Sequence, residues 1–250
     1  MSEPPSTGVA STLADAQPRA SRLRRLHALT GVVPVGVFLV GHLWTNARAL
    51  SGQASFDTAV SQITRLPYLP LIETFGIFVP LAFHALYGVK LALGGERNVL
   101  RYPDGRNWMW LAQRATGLVT LAFLAWHLLE LRVPKALGTL GADAFYPTLC
   151  ARLSSTTHGL PLVALAYLVG IGASVLHLAN GLWALSTSYV STASPRAQRV
   201  VAGAVAVFGL ALFLAGANTA LYFATGVRLL AIDGGAGSST CEAPAPPRHP

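Results

Sequence analysis

Five long apolar runs divide the chain, with polar stretches between them. A helix that crosses a bilayer needs roughly 20 apolar residues, and a separate span in lipid must be a helix because only a helix satisfies its own backbone hydrogen bonds. The pattern therefore predicts an all-α membrane protein, a five-transmembrane-helix bundle over residues 23–226. The predicted spans are residues 24–48, 70–93, 107–131, 160–189 and 198–225, and Pro34 and Pro80 are expected to kink the first two.

Both ends of the chain have the composition of tails. Residues 1–22 are polar and rich in Pro, Ser and Ala, and residues 227–250 are rich in Gly and Pro. Segments of this kind bury too little apolar surface to become ordered, and the first has no signal-peptide pattern. We therefore predict a disordered cytoplasmic tail before the membrane domain and a disordered external tail after it.

Composition and charge fit a protein that faces lipid. Mean hydropathy is +0.49 and 11% of the residues are charged, against about 25% in soluble domains. The net charge is +8, but the basic residues flank the apolar runs and form no binding face, which argues against a nucleic-acid partner. Their bias predicts an N-terminus on the inner side of the membrane, which is expected to be the bacterial cytoplasmic (inner) membrane. It rests on Arg19, Arg22, Arg24, Arg25, Arg97, Arg101, Arg106, Arg196 and Arg199.

Cys150 and Cys241 are the only cysteines, and the chain has no C-x-x-C motif. Zinc or iron–sulfur ligation by cysteine therefore has no support. With the N-terminus inside, both cysteines lie on the outer side of the membrane, where a disulfide is permitted but not required. The sequence leaves their pairing open.

A histidine stands inside each of the first four apolar runs: His42, His84, His127 and His177. A polar side chain in hydrocarbon is costly without a partner. At 1.5 Å per residue, His42 and His127 lie roughly 27–30 Å from the inner end of their spans, and His84 and His177 roughly 15–18 Å. The four therefore form two pairs, about 12 Å apart in depth. For any one of them alone, a helix–helix hydrogen bond is the alternative.

Two imidazoles at each level indicate a particular kind of site. A closed zinc site normally takes four ligands, and no cysteine or carboxylate lies at the right depth to complete one. A planar cofactor with one imidazole on each face fits better, and haem is the usual one. Because C-x-x-C-H is absent, the pattern predicts two haems b. Small residues could admit a porphyrin or simply pack helices together: Gly31, Gly36, Gly117, Gly170 and Gly172.

Several motifs follow one another in a recognisable order: RRLHALTGVVPVGVFLVGHL, LAFHALYGV, RNWMWLAQRATGLVTLAFLAWHLLELR, HLANGLWAL and SPRAQR. Together they resemble the di-haem cytochrome b membrane anchor of succinate:quinone oxidoreductase (complex II). The resemblance is greatest to the single-polypeptide, five-helix type, which serves succinate dehydrogenases and quinol:fumarate reductases. It runs from about Arg24 to the fifth span, and leaves out both tails and part of the third connection.

The resemblance implies a role for each of the four histidines. The family's axial ligands fall on His84 and His177 for the proximal haem, nearer the cytoplasm, and on His42 and His127 for the distal haem. It also implies a flavoprotein subunit and an iron–sulfur subunit on the cytoplasmic side, which oxidise succinate. This chain would be the quinone-reactive subunit of the enzyme complex, and oligomerisation of the whole complex is left open.

The expected electron acceptor is menaquinone, at the outer face near the distal haem. A membrane potential that is negative inside favours an electron moving outward by about 2.3 kcal/mol per 100 mV, and succinate reduces a low-potential quinone only with such help. Quinone reduction also consumes protons. Glu130, then Asp57, then Glu73 are the candidate proton carriers beside the membrane core. The alternative is that they form interfacial ion pairs with Arg48, Arg65 or Arg132.

Haem propionates need cationic or hydrogen-bonding partners, and the inner ends of the first and third spans offer them. The candidates are Arg24, Arg25, His27 and Arg114. For His27, as for His158, an interfacial position without any role is the alternative. These residues are predicted to serve the proximal haem.

Three other functions compete with a succinate:menaquinone oxidoreductase. A quinol:fumarate reductase anchor would run the same wiring in reverse. A di-haem cytochrome b of a hydrogenase or a formate dehydrogenase would differ in its partner. A haem-free transporter with a histidine-lined proton path is the least favoured, because the sequence shows neither repeat symmetry nor short interrupted spans.

Overall fold

The computed structural model describes residues 21–94, 105–189, 194–229 and 241. Within these ranges the chain is almost entirely helical, with no strand beyond a single bridge between Thr157 and Leu160. Five of the described helices are long and apolar enough to cross a membrane, which confirms the predicted architecture. The main helices are α1 (Ser21–Ser51), α2 (Gln53–Thr64), α3 (Leu69–Leu93), α4 (Asn107–Ala136), α5 (Phe145–Leu153), α6 (Leu162–Tyr189) and α7 (Pro195–Thr225).

The ends of the spans differ by a few residues from the predicted ones. Hydrophobicity predicts where a span lies, but local hydrogen bonds at the helix ends fix the residue at which a helix begins. Helix α7 begins at Pro195. Ser194 Oγ accepts a hydrogen bond from the Ala197 amide at 3.2 Å, and proline suits the first helical position. Helix α6 begins slightly later than predicted, since Leu160 is held in a turn by two hydrogen bonds with Thr157. Helix α4 runs on beyond its predicted end.

Wide, π-helical turns occur in α1, α3 and α4, and each contains a proline or ends just before one. Proline lacks an amide hydrogen, and its ring crowds the carbonyl four residues earlier. A wider turn takes up this mismatch without breaking the helix. The distortion predicted at Pro34 and Pro80 therefore takes the form of a widened turn in a continuous helix. The turns are Gly31–Gly36, Ile72–Phe78 and Leu128–Arg132.

Helices α2 and α5, which the hydrophobic pattern did not predict, cover one end of the bundle. They pack with the last turns of α1, α4 and α7 and the start of α6 around a cluster of buried apolar residues, among them Phe56, Leu153 and Phe223. We call this end the capped end, and the other, where α1, α4 and α7 begin, the open end. Tyr146 of α5 and Tyr222 of α7 are buried in the cluster, with their hydroxyl oxygens 3.0 Å apart.

A disulfide joins Cys150 of α5 to Cys241, a pairing that the sequence left open. It ties one residue of the predicted external tail to the capped end. Of the predicted tails, residues 1–20, 230–240 and 242–250 lie outside the described residues, whereas Ser21 and Arg22 belong to α1. The connections at 95–104 and 190–193, with Arg97 and Arg101, also lie outside the described residues. The predicted disorder of the tails and the domain bounds stay predictions.

Candidate functional site

The four histidines of the apolar runs meet in two pairs inside the bundle, with the partners that their depth predicted. His42 of α1 lies beside His127 of α4, with ring centroids 5.9 Å apart and ring planes at 81°. His84 of α3 lies beside His177 of α6, with centroids 5.9 Å apart and planes at 83°. The His42–His127 pair adjoins the buried cluster of the capped end through Tyr167, and the His84–His177 pair lies toward the open end.

Backbone carbonyl groups orient both rings of the His84–His177 pair. His84 Nδ1 lies 2.8 Å from the carbonyl oxygen of His27, and His177 Nδ1 lies 3.0 Å from that of Gln113. A carbonyl oxygen can only accept, so each Nδ1 must carry the hydrogen and donate the bond. Each Nε2 then carries a lone pair, which is the tautomer that a metal ion needs.

Gln113 makes further contacts with His177. Its Nε2 donates to the His177 carbonyl oxygen at 3.2 Å and lies 3.4 Å from the ring Nε2 of His177. Its Oε1 is buried without a hydrogen-bond partner in the described part of the chain, which is uncommon for a buried polar atom. The sequence analysis missed Gln113. The signal for it is the spacing to His127, about four helical turns, which puts both on one face of α4.

Two of the predicted glycines let the imidazoles approach the neighbouring helices. A Cβ added at Gly31 of α1 would collide with the His84 ring. At Gly117 of α4 it would lie 2.8 Å from His177 Cε1, closer than real Cβ atoms come to their neighbours. The other three face apolar side chains of neighbouring helices: a Cβ at Gly170 would collide with Phe123, one at Gly36 would lie 2.8 Å from Leu178, and one at Gly172 would lie at an ordinary 3.4 Å from Phe213.

Side chains support the His42–His127 pair. His127 Nδ1 lies 3.2 Å from the hydroxyl oxygen of Tyr167 on α6, and the His127 ring stacks on Phe123, with centroids 5.6 Å apart. Asn46 Nδ2 donates to the His42 carbonyl oxygen at 2.8 Å and lies 3.4 Å from His42 Nε2. Neither Tyr167 nor Asn46 was predicted. Asn46 follows His42 by one helical turn, but no sequence signal connects Tyr167 with His127.

Two of the three predicted carboxyl groups form ion pairs at the capped end. Arg132 Nη2 donates to Glu73 Oε2 at 2.7 Å, and Lys135 Nζ lies 4.0 Å from the other oxygen. The interfacial pairing of Glu73 with Arg132, given above as the alternative to a proton-carrying role, is therefore confirmed. Glu130 pairs with Arg152 of α5 at 2.5 Å, a partner that the sequence did not indicate.

Asp57, the third carboxyl group, lies on α2. Its Oδ1 is buried and has no hydrogen-bond partner among the described residues. A cavity of about 610 Å³ lies between α2 and the last turns of α1, and neither Asp57 nor His42 is among the residues that line it. Its lining combines apolar and polar side chains, chiefly those of Trp44, Arg48, Ser55, Thr58, Gln62 and Ile63.

Comparison with known proteins agrees with the resemblance seen in the sequence. A family profile described as the succinate dehydrogenase/fumarate reductase transmembrane subunit matches residues 16–94. The succinate dehydrogenase cytochrome b558 subunit of Bacillus subtilis (strain 168) is 36% identical over 200 residues, which cover 80% of this chain and 95% of that protein. The chain belongs to this family of cytochrome b membrane subunits. With five candidate spans, its predicted localisation as a multi-pass protein of the bacterial inner membrane is confirmed.

A cytochrome b subunit carries haem b, and the donor set of this chain suits that group. Within the described ranges no cluster of three or more His, Cys, Asp or Glu side chains could hold a metal ion, and the histidines of the apolar runs occur as two pairs. A metal–imidazole bond is about 2 Å, so two imidazoles on opposite sides of one ion have centroids about 6 Å apart. The centroids are 5.9 Å apart in both pairs. The tautomers of His84 and His177 and the glycines against their rings fit the same role.

His27, predicted as a partner of a haem propionate, contacts a predicted haem ligand. Its ring stacks on that of His84, with centroids 4.2 Å apart and planes at 3°, and its carbonyl oxygen accepts the His84 hydrogen bond. A Cβ added at Gly88 of α3 would lie 3.0 Å from His27 Nε2, so this ring is also packed closely against α3. His27 thereby holds His84 in place, and its role toward a propionate stays a prediction.

The other predicted propionate partners lie near the open end. Arg114 Nη1 donates to the Ala92 carbonyl oxygen at 3.1 Å, and its guanidinium carbon lies 3.5 Å from the centre of the Trp110 ring. Arg24 and Arg25 are exposed at the start of α1. None of these contacts tests binding to a propionate, which stays a prediction for all of them.

Proposed function

We propose that this chain is the membrane anchor and electron-transfer subunit of a succinate:menaquinone oxidoreductase, which passes electrons from an iron–sulfur subunit through two bis-histidine haems b to quinone. The observation that carries the proposal is the presence of two separate histidine pairs with the same ring separation of 5.9 Å. The identity with a succinate dehydrogenase cytochrome b558 subunit supports it. The family also includes fumarate reductase subunits, so the reverse reaction is the second candidate.

His84 and His177 would hold one haem, and His42 and His127 the other. When bound, each haem supplies a one-electron carrier whose potential depends on its axial ligands and their hydrogen bonds. The protein's own contribution is to fix the rings. The carbonyl oxygens of His27 and Gln113 set the tautomer of one pair, and Tyr167 contacts the other.

The flavoprotein and iron–sulfur subunits would dock at the open end, on the cytoplasmic side. Two observations support this orientation. Lys and Arg are enriched in the segments at the open end, and the capped end carries the Cys150–Cys241 disulfide. Disulfides persist in oxidising compartments and are rare in the cytoplasm, so the capped end belongs outside.

The cavity beside Trp44 and Arg48 is our candidate for the menaquinone site. It has a volume of about 610 Å³, within the range of about 300–1,000 Å³ that is usual for small-molecule sites. Its lining residues on α1 follow His42 in the sequence within two helical turns, and its polar lining residues on α2 include Ser55, Thr58 and Gln62. Asp57 Oδ1 and Glu130 Oε2 are both buried without a described hydrogen-bond partner, although the other oxygen of Glu130 pairs with Arg152, and Glu73 pairs with Arg132. Asp57 is a candidate proton donor to the quinone alongside Glu130, ahead of Glu73.

The haem content of ligand variants tests the core of the proposal. We expect the purified protein to show a reduced-minus-oxidised cytochrome b spectrum with two haems per chain. His84→Ala or His177→Ala should remove one haem, and His42→Ala or His127→Ala the other. His158→Ala, in an exposed loop, is the control and should retain both. A colourless protein, or retention of both haems in His84→Ala, would refute the proposal.

Partner and direction need a separate experiment. Co-purification should recover a flavoprotein and an iron–sulfur subunit, and the complex should oxidise succinate with a menaquinone analogue. In sealed vesicles, collapsing the membrane potential should slow succinate oxidation, and unchanged oxidation would argue against quinone reduction at the outer face. Recovery of a hydrogenase or a formate dehydrogenase instead would show that the chain carries electrons for that enzyme. Asp57→Asn should slow quinone reduction and leave both haems in place.

A further inference from the structure

The hydroxyl oxygen of Tyr167 on α6 lies 3.2 Å from His127 Nδ1. Among the described residues, Tyr167 is the side chain within hydrogen-bond distance of this nitrogen. We propose that Tyr167 is a positioning residue for the haem ligand His127. Its hydroxyl oxygen accepts the hydrogen bond from Nδ1–H, which directs the lone pair of Nε2 toward the iron and sets the electron density of the imidazole. The inference rests on the proposed role of His127 as a haem ligand.

The environment of Tyr167 makes this contact well defined. The side chain is 7% exposed. Its ring lies edge-on to Phe123, Trp126 and His127, with centroid distances of 5.4, 5.5 and 5.7 Å. These three residues lie on one face of α4, so the phenol is held on a surface that includes the ligand itself. The hydroxyl has little freedom to turn away from Nδ1.

Gly170, one turn after Tyr167 on the same face of α6, belongs to this arrangement. A Cβ there would collide with the Phe123 ring. Its absence lets Phe123 lie against the α6 backbone, where it contacts Tyr167 on one side and stacks on His127 on the other, at 5.6 Å. Helix α6 thus contributes both the hydrogen-bond acceptor and the space for the ring that supports the ligand.

The chemical consequence follows from what the acceptor does for a metal-bound imidazole. A hydrogen bond from the distant ring nitrogen fixes the tautomer and raises the basicity of the ligating nitrogen. A more basic ligand stabilises ferric iron over ferrous iron, so removing the acceptor should raise the reduction potential of that haem. The effect should be confined to the His42–His127 centre, because the ligands of the other centre donate to backbone carbonyl oxygens.

The test compares Tyr167→Phe with a matched control, Tyr146→Phe, in the complete complex. Both remove a buried hydroxyl from the same cluster, but that of Tyr146 bonds to Tyr222. Redox titration and low-spin ferric EPR spectra are recorded for each, with the centres assigned by the histidine variants. We expect Tyr167→Phe to retain two haems, to raise the potential of the His42–His127 centre and to move its EPR signal. The other centre, and both centres in Tyr146→Phe, should remain as in the unaltered complex.

An unchanged His42–His127 centre in Tyr167→Phe, or an equal shift of both centres, would overturn the inference. If that variant does not assemble, the unaltered complex with ring-labelled tyrosine provides the test. A tyrosine C–O band in the infrared difference spectrum should change at the reduction potential of the His42–His127 centre. The same band should change in the Tyr146→Phe complex, which retains Tyr167. Absence of such a band overturns the inference while leaving the haems established. Absence of haem from the unaltered complex would instead refute the proposed function.

Discussion

The two histidine pairs have the same ring separation but are supported in different ways. At the His84–His177 pair, carbonyl oxygens of two other helices hold the rings, and glycines make room for them. At the His42–His127 pair, the supports are the side chains of Tyr167, Phe123 and Asn46. The first pair lies outside the buried cluster of the capped end, and the second adjoins it.

This difference indicates which substitutions should affect each proposed haem centre, named here by its histidine pair. A backbone acceptor cannot be removed by substituting a side chain, so the His84–His177 centre should respond mainly to loss of space around its rings. A side-chain acceptor can be removed singly, so the His42–His127 centre should be tuned by individual substitutions. The following predictions test this distinction, from the largest expected effect to the smallest.

Adding a methyl group at Gly31 or Gly117 should have the largest effect. In either Gly31→Ala or Gly117→Ala the new Cβ overlaps an imidazole, so the ring must leave its position, and helix backbones in a packed bundle do not separate easily. We expect the haem content to fall from two to one per chain, with loss of the His84–His177 centre, as measured by pyridine haemochrome and EPR.

Gly41→Ala provides the control for these variants. Gly41 precedes His42 on α1, and nothing lies within 4 Å of a Cβ added there. Both haems should remain. Loss of haem from Gly41→Ala, or retention of both in Gly31→Ala, would contradict the view that space around the rings limits this centre.

Breaking the disulfide should affect the other pair. A disulfide that closes a long loop contributes about 2–4 kcal/mol to stability, and the bond between Cys150 and Cys241 lies in the cluster that adjoins His127. In Cys150→Ser with Cys241→Ser, we expect the His42–His127 haem to be lost at a lower temperature, with little change at the other centre. Thermal release followed by absorbance would show this, and equal sensitivity of both centres would contradict it.

Gly170→Ala should disturb the His42–His127 centre moderately. The added methyl group displaces Phe123 from α6, and overpacking of this kind costs about 1–3 kcal/mol. The EPR signal of this centre should broaden or shift, with the other unaffected. Gly172→Ala is the matched control, because its Cβ would lie at an ordinary 3.4 Å from Phe213. An identical response from the two variants would exclude Phe123 as the cause.

The smallest effect is expected for Asn46→Ala. It removes the hydrogen bond from Asn46 Nδ2 to the His42 carbonyl oxygen, and such a bond contributes about 0.5–1.5 kcal/mol. We expect both haems to be retained, with the His42–His127 centre slightly less stable to heat. Thr45→Ala, which removes a bond to the Gly41 carbonyl oxygen in the same helix, should have no selective effect. A larger change in Thr45→Ala than in Asn46→Ala would show that Asn46 is not a support of this centre.

The structure also shows why some predictions from the sequence were incomplete. The pairing of Glu73 with Arg132 was among the alternatives because both residues lie near the ends of long apolar runs. The partner of Glu130 was not, because Arg152 is on α5, a helix that a search for long apolar runs does not detect. His27 was assigned to a propionate from its depth alone, whereas its contact with His84 depends on how α1 and α3 pack.

The sequence by itself determined the number of spans, the four histidines and their arrangement in two pairs. These properties depend only on position along the chain. The length of an apolar run decides whether it crosses the membrane, and the rise per residue sets the depth of each side chain. Tertiary structure alone decided which groups surround each ring. The contacts of His84 with His27, of His177 with Gln113 and of His127 with Tyr167 join residues 40 to 64 positions apart. Contacts of that kind depend on how each helix is rotated about its axis and on the close approach that glycine permits, and depth carries no information on either.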